Sequence, residues 1–127
     1  MHLILMIDIM HKGDRVPLVK LGTGMPEAAM TLSKMRFGCV GVIDDDGCLC
    51  GIITDGDIAR NLGSSLAQMR VDDVMTRNPK TVKETTLATG AMALLNRHNI
   101  SALIVVDDAR RPIGIVHFHD LLRIGVA

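Results

Sequence analysis

The sequence predicts an α/β (α+β) protein built from one β-α-β-β-α unit used twice. Two observations carry this expectation. The chain resembles itself at a nearly fixed offset, and each half runs through the same order of apolar patterns. A third observation sets the scale: 127 residues, 48% of them hydrophobic, suit one compact module with a shared core.

The repeat can be read directly. Asp8-Ile9-Met10 returns as Asp73-Val74-Met75, and Val42-Ile43-Asp44-Asp45 as Val105-Val106-Asp107-Asp108. Gly51-Ile52-Ile53 returns as Gly114-Ile115-Val116, and Asp57 and Arg60 as Asp120 and Arg123. Residues 39–60 aligned with 102–123 share 7 of 22 identities, in order, which chance dipeptides do not produce. The offset falls from 65 to 63, so the first copy carries two extra residues near Gly13-Asp14-Arg15-Val16. The halves divide as 1–66 and 67–127.

Each half begins with a lead-in ending in methionine, then a short strand near Leu18-Val19 or Thr81-Val82. A helix follows. Met25, Ala28, Ala29, Leu32 and Met35 recur at helical spacing in the first copy, and Leu87, Ala91, Leu94 and Leu95 in the second, where Thr85 or Thr86 is the expected cap. The methionines of the first stripe read as ordinary core packing. Two strands come next, Cys39–Ile43 and Cys50–Thr54, joined by Asp44-Asp45-Asp46-Gly47, whose residues suit a tight hairpin. Their counterparts are Ala102–Val106 and Ile113–His117. The last helix starts near Asp57 and near Asp120, acidic residues suited to the exposed N–H groups of a helix start.

Composition excludes several classes of function. Lys+Arg and Asp+Glu are 14 each, and Phe37 and Phe118 are the only aromatics of the Phe/Tyr/Trp type. That balance gives no footprint for nucleic acid and no stacking groove. The opening run Leu3-Ile4-Leu5-Met6-Ile7 is too short to span a bilayer and Asp8 ends it; it also lacks the features of a signal peptide, so no membrane partner is expected. Cys39, Cys48 and Cys50 are odd in number and point to a reducing, cytoplasmic setting. Cys48-x-Cys50 has no second cysteine pair, so no metal site is expected there.

The signature of the repeat is a glycine, an apolar pair, a polar residue, then Asp three residues on. It stands as Gly51-Ile52-Ile53-Thr54-Asp55-Gly56-Asp57 and as Gly114-Ile115-Val116-His117-Phe118-His119-Asp120. In this, and in the order of elements, the chain resembles a tandem pair of CBS (cystathionine-β-synthase) motifs from about Asp8 to Val126; residues 1–6 match poorly. The resemblance implies two small sheets packed about a pseudo-twofold axis, with two clefts that can take a nucleotide. It implies that Asp57 and Asp120 hold a ribose, that Thr54 faces a phosphate with His117 in its place in the second copy, and that Gly56 allows close approach. It implies further that Pro17, Val40, Asn78, Pro79, Lys80, Thr81, Ser101, Ala102 and Leu103 line the base pocket. The bland alternative for either Asp is a helix cap alone. For His117 and His119 three readings stand: polar residues satisfied by backbone, a metal site short of ligands, and donors to an anionic ligand, of which the last is favoured.

A narrower likeness rests on Asp8-Ile9-Met10-His11-Lys12-Gly13-Asp14, Val74-Met75-Thr76-Arg77-Asn78-Pro79-Lys80-Thr81 and His117-Phe118-His119-Asp120-Leu121-Leu122-Arg123. These strings are similar to the C-terminal CBS pair of bacterial D-arabinose-5-phosphate isomerases. One departure is Ala59 where that family usually has arginine. The likeness implies a regulatory module without catalytic residues, partnered in the full-length protein by a catalytic sugar-isomerase (SIS) domain of the Kdo and lipopolysaccharide pathway. It implies no required cofactor, a homodimer of CBS pairs, and as ligand either an adenine nucleotide (AMP or ATP) or CMP-Kdo, the activated end product. The alternative function is a structural dimerisation module with empty clefts.

Overall fold

A computed structural model of the chain describes residues 3–126. The elements run α1 (Met6–Ile9), β1 (Leu18–Lys20), α2 (Met25–Met35), β2 (Cys39–Ile43), β3 (Leu49–Thr54), α3 (Asp55–Arg60), α4 (Val71–Val74), β4 (Thr76–Arg77), β5 (Thr81–Val82), α5 (Ala88–His98), β6 (Ala102–Val106), β7 (Pro112–His117) and α6 (Phe118–Arg123). This is the expected β-α-β-β-α unit twice over, with each lead-in folded as one short helix that the apolar patterns did not predict. The extra residues of the first copy form a 3-10 turn at Gly13–Arg15.

The chain forms two compact units. One is residues 17–79, and the other joins residues 1–16 to 80–127. The body of each repeat is therefore completed by the lead-in that precedes the other repeat. In the 17–79 unit, β1 pairs parallel with β2, β2 antiparallel with β3, and β4 closes the order β1-β2-β3-β4. In the other unit the order is β5-β6-β7, and His11 bridges to Ile115 where β4 would stand.

The same local chemistry shapes both copies. β2 and β6 are nearly continuous apolar runs because both faces are buried. At the β2–β3 turn, Asp44 Oδ1 accepts from the backbone N–H groups of Asp46 and Cys48, and Gly47 takes φ +82°. The β6–β7 turn repeats this with Asp107 accepting from Ala109 and Arg111, but Arg110 occupies the left-handed position at φ +63°. α2 and α5 end on left-handed Arg36 and Asn99, 63 residues apart.

The expected stripes need one correction. Met25, Ala28 and Leu32 are buried, with Ala29 and Met35 half-buried. In α5 the buried residues are Ala88, Ala91, Met92 and Leu95, while Leu87 is the N-cap and is exposed. No side chain caps α5; Thr86 Oγ1 instead accepts from the N–H of Lys83. Residues 4–6 are also integral, although they fall outside the resemblance: Met6 is 0% exposed in the 1–16/80–127 core, and Ile4 accepts from the N–H of Ala88.

The duplicated Met–Gly pairs have a steric cause. A Cβ built on Gly51 would lie 3.1 Å from the Cβ of Met75, and one on Gly114 would lie 3.1 Å from the carbonyl oxygen of His11 and 2.8 Å from Cγ of Met10. Each strand thus needs glycine where the exchanged methionine crosses it. Gly114→Ala is expected to lower stability by about 1–3 kcal/mol through overpacking against backbone, read as a fall in the urea midpoint at constant slope.

Candidate functional site

Four aspartates sit three residues after the residue that caps a helix, and each accepts that residue's N–H. Asp8 accepts from Leu5, Asp73 from Arg70, Asp57 from Thr54 and Asp120 from His117, at 2.8, 3.0, 2.9 and 2.8 Å. Asp57 and Asp120 therefore stand at the third residue of α3 and α6, which start at Asp55 and Phe118 rather than at the aspartates. Asp8 and Asp73 do nothing more than cap in this way on the surface. Asp57 and Asp120 have further partners and lower exposure.

Asp57 is 4% exposed and is the one buried polar or charged residue among the described residues. Its Oδ2 accepts from the Thr54 N–H and hydroxyl, at 2.9 and 3.0 Å. Its Oδ1 accepts from Arg60 Nη2 at 2.5 Å and from the Thr76 hydroxyl at 3.3 Å. Thr54 Oγ1 in turn accepts from the N–H of Asp57. Both carboxylate oxygens are thus engaged within the 17–79 unit.

Asp120 is placed alike but dressed differently. Oδ2 accepts from the His117 N–H and from His11 Nε2 at 3.0 Å, while Arg123 stays 3.7 Å from Oδ1. His117 caps α6 through its ring, Nδ1 accepting from the N–H of His119 at 3.1 Å. The two rings stack, with centroids 4.9 Å apart. Burial first, then the charges of His119 and His11, pull the His117 pKa below its ordinary value against the opposing pull of Asp120. His117 is therefore favoured as the neutral ring with its proton on Nε2, a donor, but not as an imidazolium. Among the described residues, no group of three or more His, Cys, Asp or Glu could hold a metal ion.

The remaining residues named from sequence divide between the units. Pro17 precedes β1 and its carbonyl accepts from Gly41; Val40 is a fully buried side chain in β2. Asn78, at φ +53°, and Pro79 follow β4, and all four belong to the unit of Thr54, Gly56 and Asp57. Lys80 is exposed and Thr81 pairs with Ile104 at the edge of the other unit. There the Ser101 carbonyl accepts from Phe118, and Ala102 lies opposite His117. The start of β6 is thereby joined to the turn that carries His117, His119 and Asp120. The Leu103 side chain is 1% exposed in the core, and the residue pairs with Val116 in the central strand of its sheet.

The sequence reading missed His11, Thr76 and Arg60 as partners of these carboxylates. A signal for the first two was present. His11 and Thr76 each directly follow a duplicated Asp-x-Met and lie 65 residues apart.

Comparison with known proteins agrees with this architecture. The family model described as CBS domain matches residues 6–64 and 71–127. The arabinose 5-phosphate isomerase KdsD of Pseudomonas aeruginosa is 43% identical over 121 residues, covering 94% of this chain and 37% of that protein. The chain thus spans little more than a third of the length of the curated relatives it matches. Among solved structures, the CBS domain pair of protein MJ0100, in complex with 5′-methylthioadenosine and S-adenosyl-L-methionine, superposes with TM-score 0.86 at 32% identity, covering 97% of this chain and 96% of that one. CBSX2 of Arabidopsis thaliana in complex with AMP gives TM-score 0.81 at 26% identity, with 94% of each chain covered.

Proposed function

The chain belongs to the CBS-domain family, and from that premise we propose that it is a regulatory module that binds a ribonucleotide or nucleotide sugar. We further propose that it acts on the sugar-isomerase domain of an arabinose-5-phosphate isomerase of the Kdo pathway. One observation carries the ligand reading: among the described residues Asp120 Oδ1 meets only Arg123, at 3.7 Å, beside the imidazoles of His11, His117 and His119. A carboxylate oxygen can accept from ribose hydroxyls, and imidazole N–H groups can donate to phosphate or carboxylate. Thr54, Gly56 and Asp57 form the matching turn of the other unit. The two relatives of known structure that carry adenosine compounds support this chemistry.

Of the candidate ligands, CMP-Kdo has a ribose, a phosphate and a sugar carboxylate, and so matches a carboxylate flanked by imidazoles better than AMP or ATP does. A thermal-shift screen of AMP, ATP, CMP and CMP-Kdo is expected to raise the melting temperature most with CMP-Kdo. A flat response to all four is the outcome of the purely structural reading, and would overturn this one. Regulation then needs different affinities for two states of the parent enzyme.

We also propose a homodimer. Met30 on α2 is 73% exposed and Leu62 after α3 is 69% exposed, apolar surface that association would cover. Light scattering at micromolar protein is expected to give twice the chain mass; a monomer at every concentration would contradict this.

A further inference from the structure

The two repeats share the carboxylate at the turn but not its neighbours, and the differences have a traceable cause. In the 17–79 unit Arg60 folds back over Gly56: a Cβ added to Gly56 would lie 3.2 Å from Arg60 Nη1. That path lets the guanidinium reach Asp57 Oδ1. In the second copy the residue aligned with Gly56 is His119, which has a Cβ and a ring there. Arg123, the counterpart of Arg60, stops 3.7 Å from Asp120 Oδ1.

The lead-in residues differ as well. Thr76 places a hydroxyl on Asp57 Oδ1, the oxygen that Arg60 already holds. His11, its counterpart, places Nε2 on Asp120 Oδ2, the oxygen used for capping. The two carboxylates are therefore filled in opposite ways. Asp57 has donors on both oxygens, including a charge-assisted one. Asp120 has its donors gathered on Oδ2.

Resting on the nucleotide-binding reading above, we infer that the repeats are unequal binders: the turn at Asp120 takes the hydroxyl-bearing ligand, His11 is its positioning residue, and Arg60 closes the turn at Asp57. His11 holds the carboxylate by Oδ2, so that Oδ1 is left with Arg123 at 3.7 Å, and His119 is the neighbouring donor for an anionic group. Arg60 occupies at Asp57 the place that a ligand hydroxyl would need. The titratable and charged groups around the Asp120 turn include His11 from the lead-in, His117 at the end of β7, and His119 and Arg123 on α6.

Calorimetry with AMP as the probe separates the possibilities. The unaltered chain is expected to bind one AMP per chain, and Arg60→Ala two, because the guanidinium no longer covers Asp57. His11→Ala is expected to weaken binding about tenfold, equal to about 1.4 kcal/mol, and His11→Gln, which keeps an N–H donor, to restore most of it. Two equal sites in the unaltered chain, one site in Arg60→Ala, or unchanged affinity in His11→Ala would each overturn the inference while leaving nucleotide binding intact. No heat from any of these proteins, with circular dichroism showing them folded, would overturn the nucleotide reading and this inference together. A test without ligand is the imidazole ¹⁵N spectrum: Asp120→Asn should shift the His11 Nε2 resonance, and an unmoved resonance would refute the positioning role.

Discussion

Replacing Met6 with alanine is expected to lower stability by about 2–5 kcal/mol, the cost of emptying a fully buried site. Met6 is 0% exposed and lies in the core with Val82, Ala88, Leu103 and Leu121, all from the second repeat. Its N–H donates to the Thr86 carbonyl at 2.9 Å, and the next residue, Ile7, donates to Glu84. Met6 thus joins the first lead-in to the body of the second repeat. Ile7→Ala is the control, since Ile7 is 41% exposed and its truncation should cost about 0.5 kcal/mol or less. Urea unfolding with an unchanged slope reads both. A loss below about 1 kcal/mol for Met6→Ala would mean that the exchanged lead-in does not hold this core together.

Asp120→Ala is expected to remove ligand-dependent stabilisation altogether. At a ligand excess of about 100 times the dissociation constant that is about 2.7 kcal/mol. The substitution also costs stability without ligand, about 0.5–2 kcal/mol for a lost cap, because the His117 N–H and His11 lose their acceptor. The two effects separate by comparison with Asp8→Ala. Asp8 makes the same contact to a helix cap at 2.8 Å, on the surface and with no imidazole among its partners in the described residues. Asp8→Ala should show only the cap cost and keep the full rise in melting temperature with CMP-Kdo. If Asp120→Ala behaves like Asp8→Ala, Asp120 is a cap and no more.

The fold was largely legible because it is written twice. The offset of 65 and then 63, the glycines of the β3 and β7 signatures and the alternation of apolar runs were enough to place β2, β6, α2 and the hairpins. What escaped was long-range. α1 and α4 are four residues each, too short for a period to show, and they are set by packing of Met10 on Gly114 and Met75 on Gly51. Thr86 looked like a cap by residue type, yet its hydroxyl serves Lys83 instead. At the site, the duplicated aspartates stood out from sequence. Their partners did not, because His11 reaches Asp120 across 109 residues and Thr76 reaches Asp57 across 19. The state of His117 was likewise set by three-dimensional surroundings: burial and the neighbouring imidazoles favour the neutral ring, which Nδ1 needs in order to accept from His119.

Nucleotide binding at the duplicated turns is tested most directly by calorimetry of the unaltered chain, Asp57→Ala and Asp120→Ala with CMP-Kdo, CMP and AMP. The expected result is binding of CMP-Kdo more tightly than AMP, with the heat lost in Asp120→Ala. Equal affinity for AMP and CMP-Kdo would contradict the end-product-sensing role, and wild-type binding in both variants would contradict the site itself.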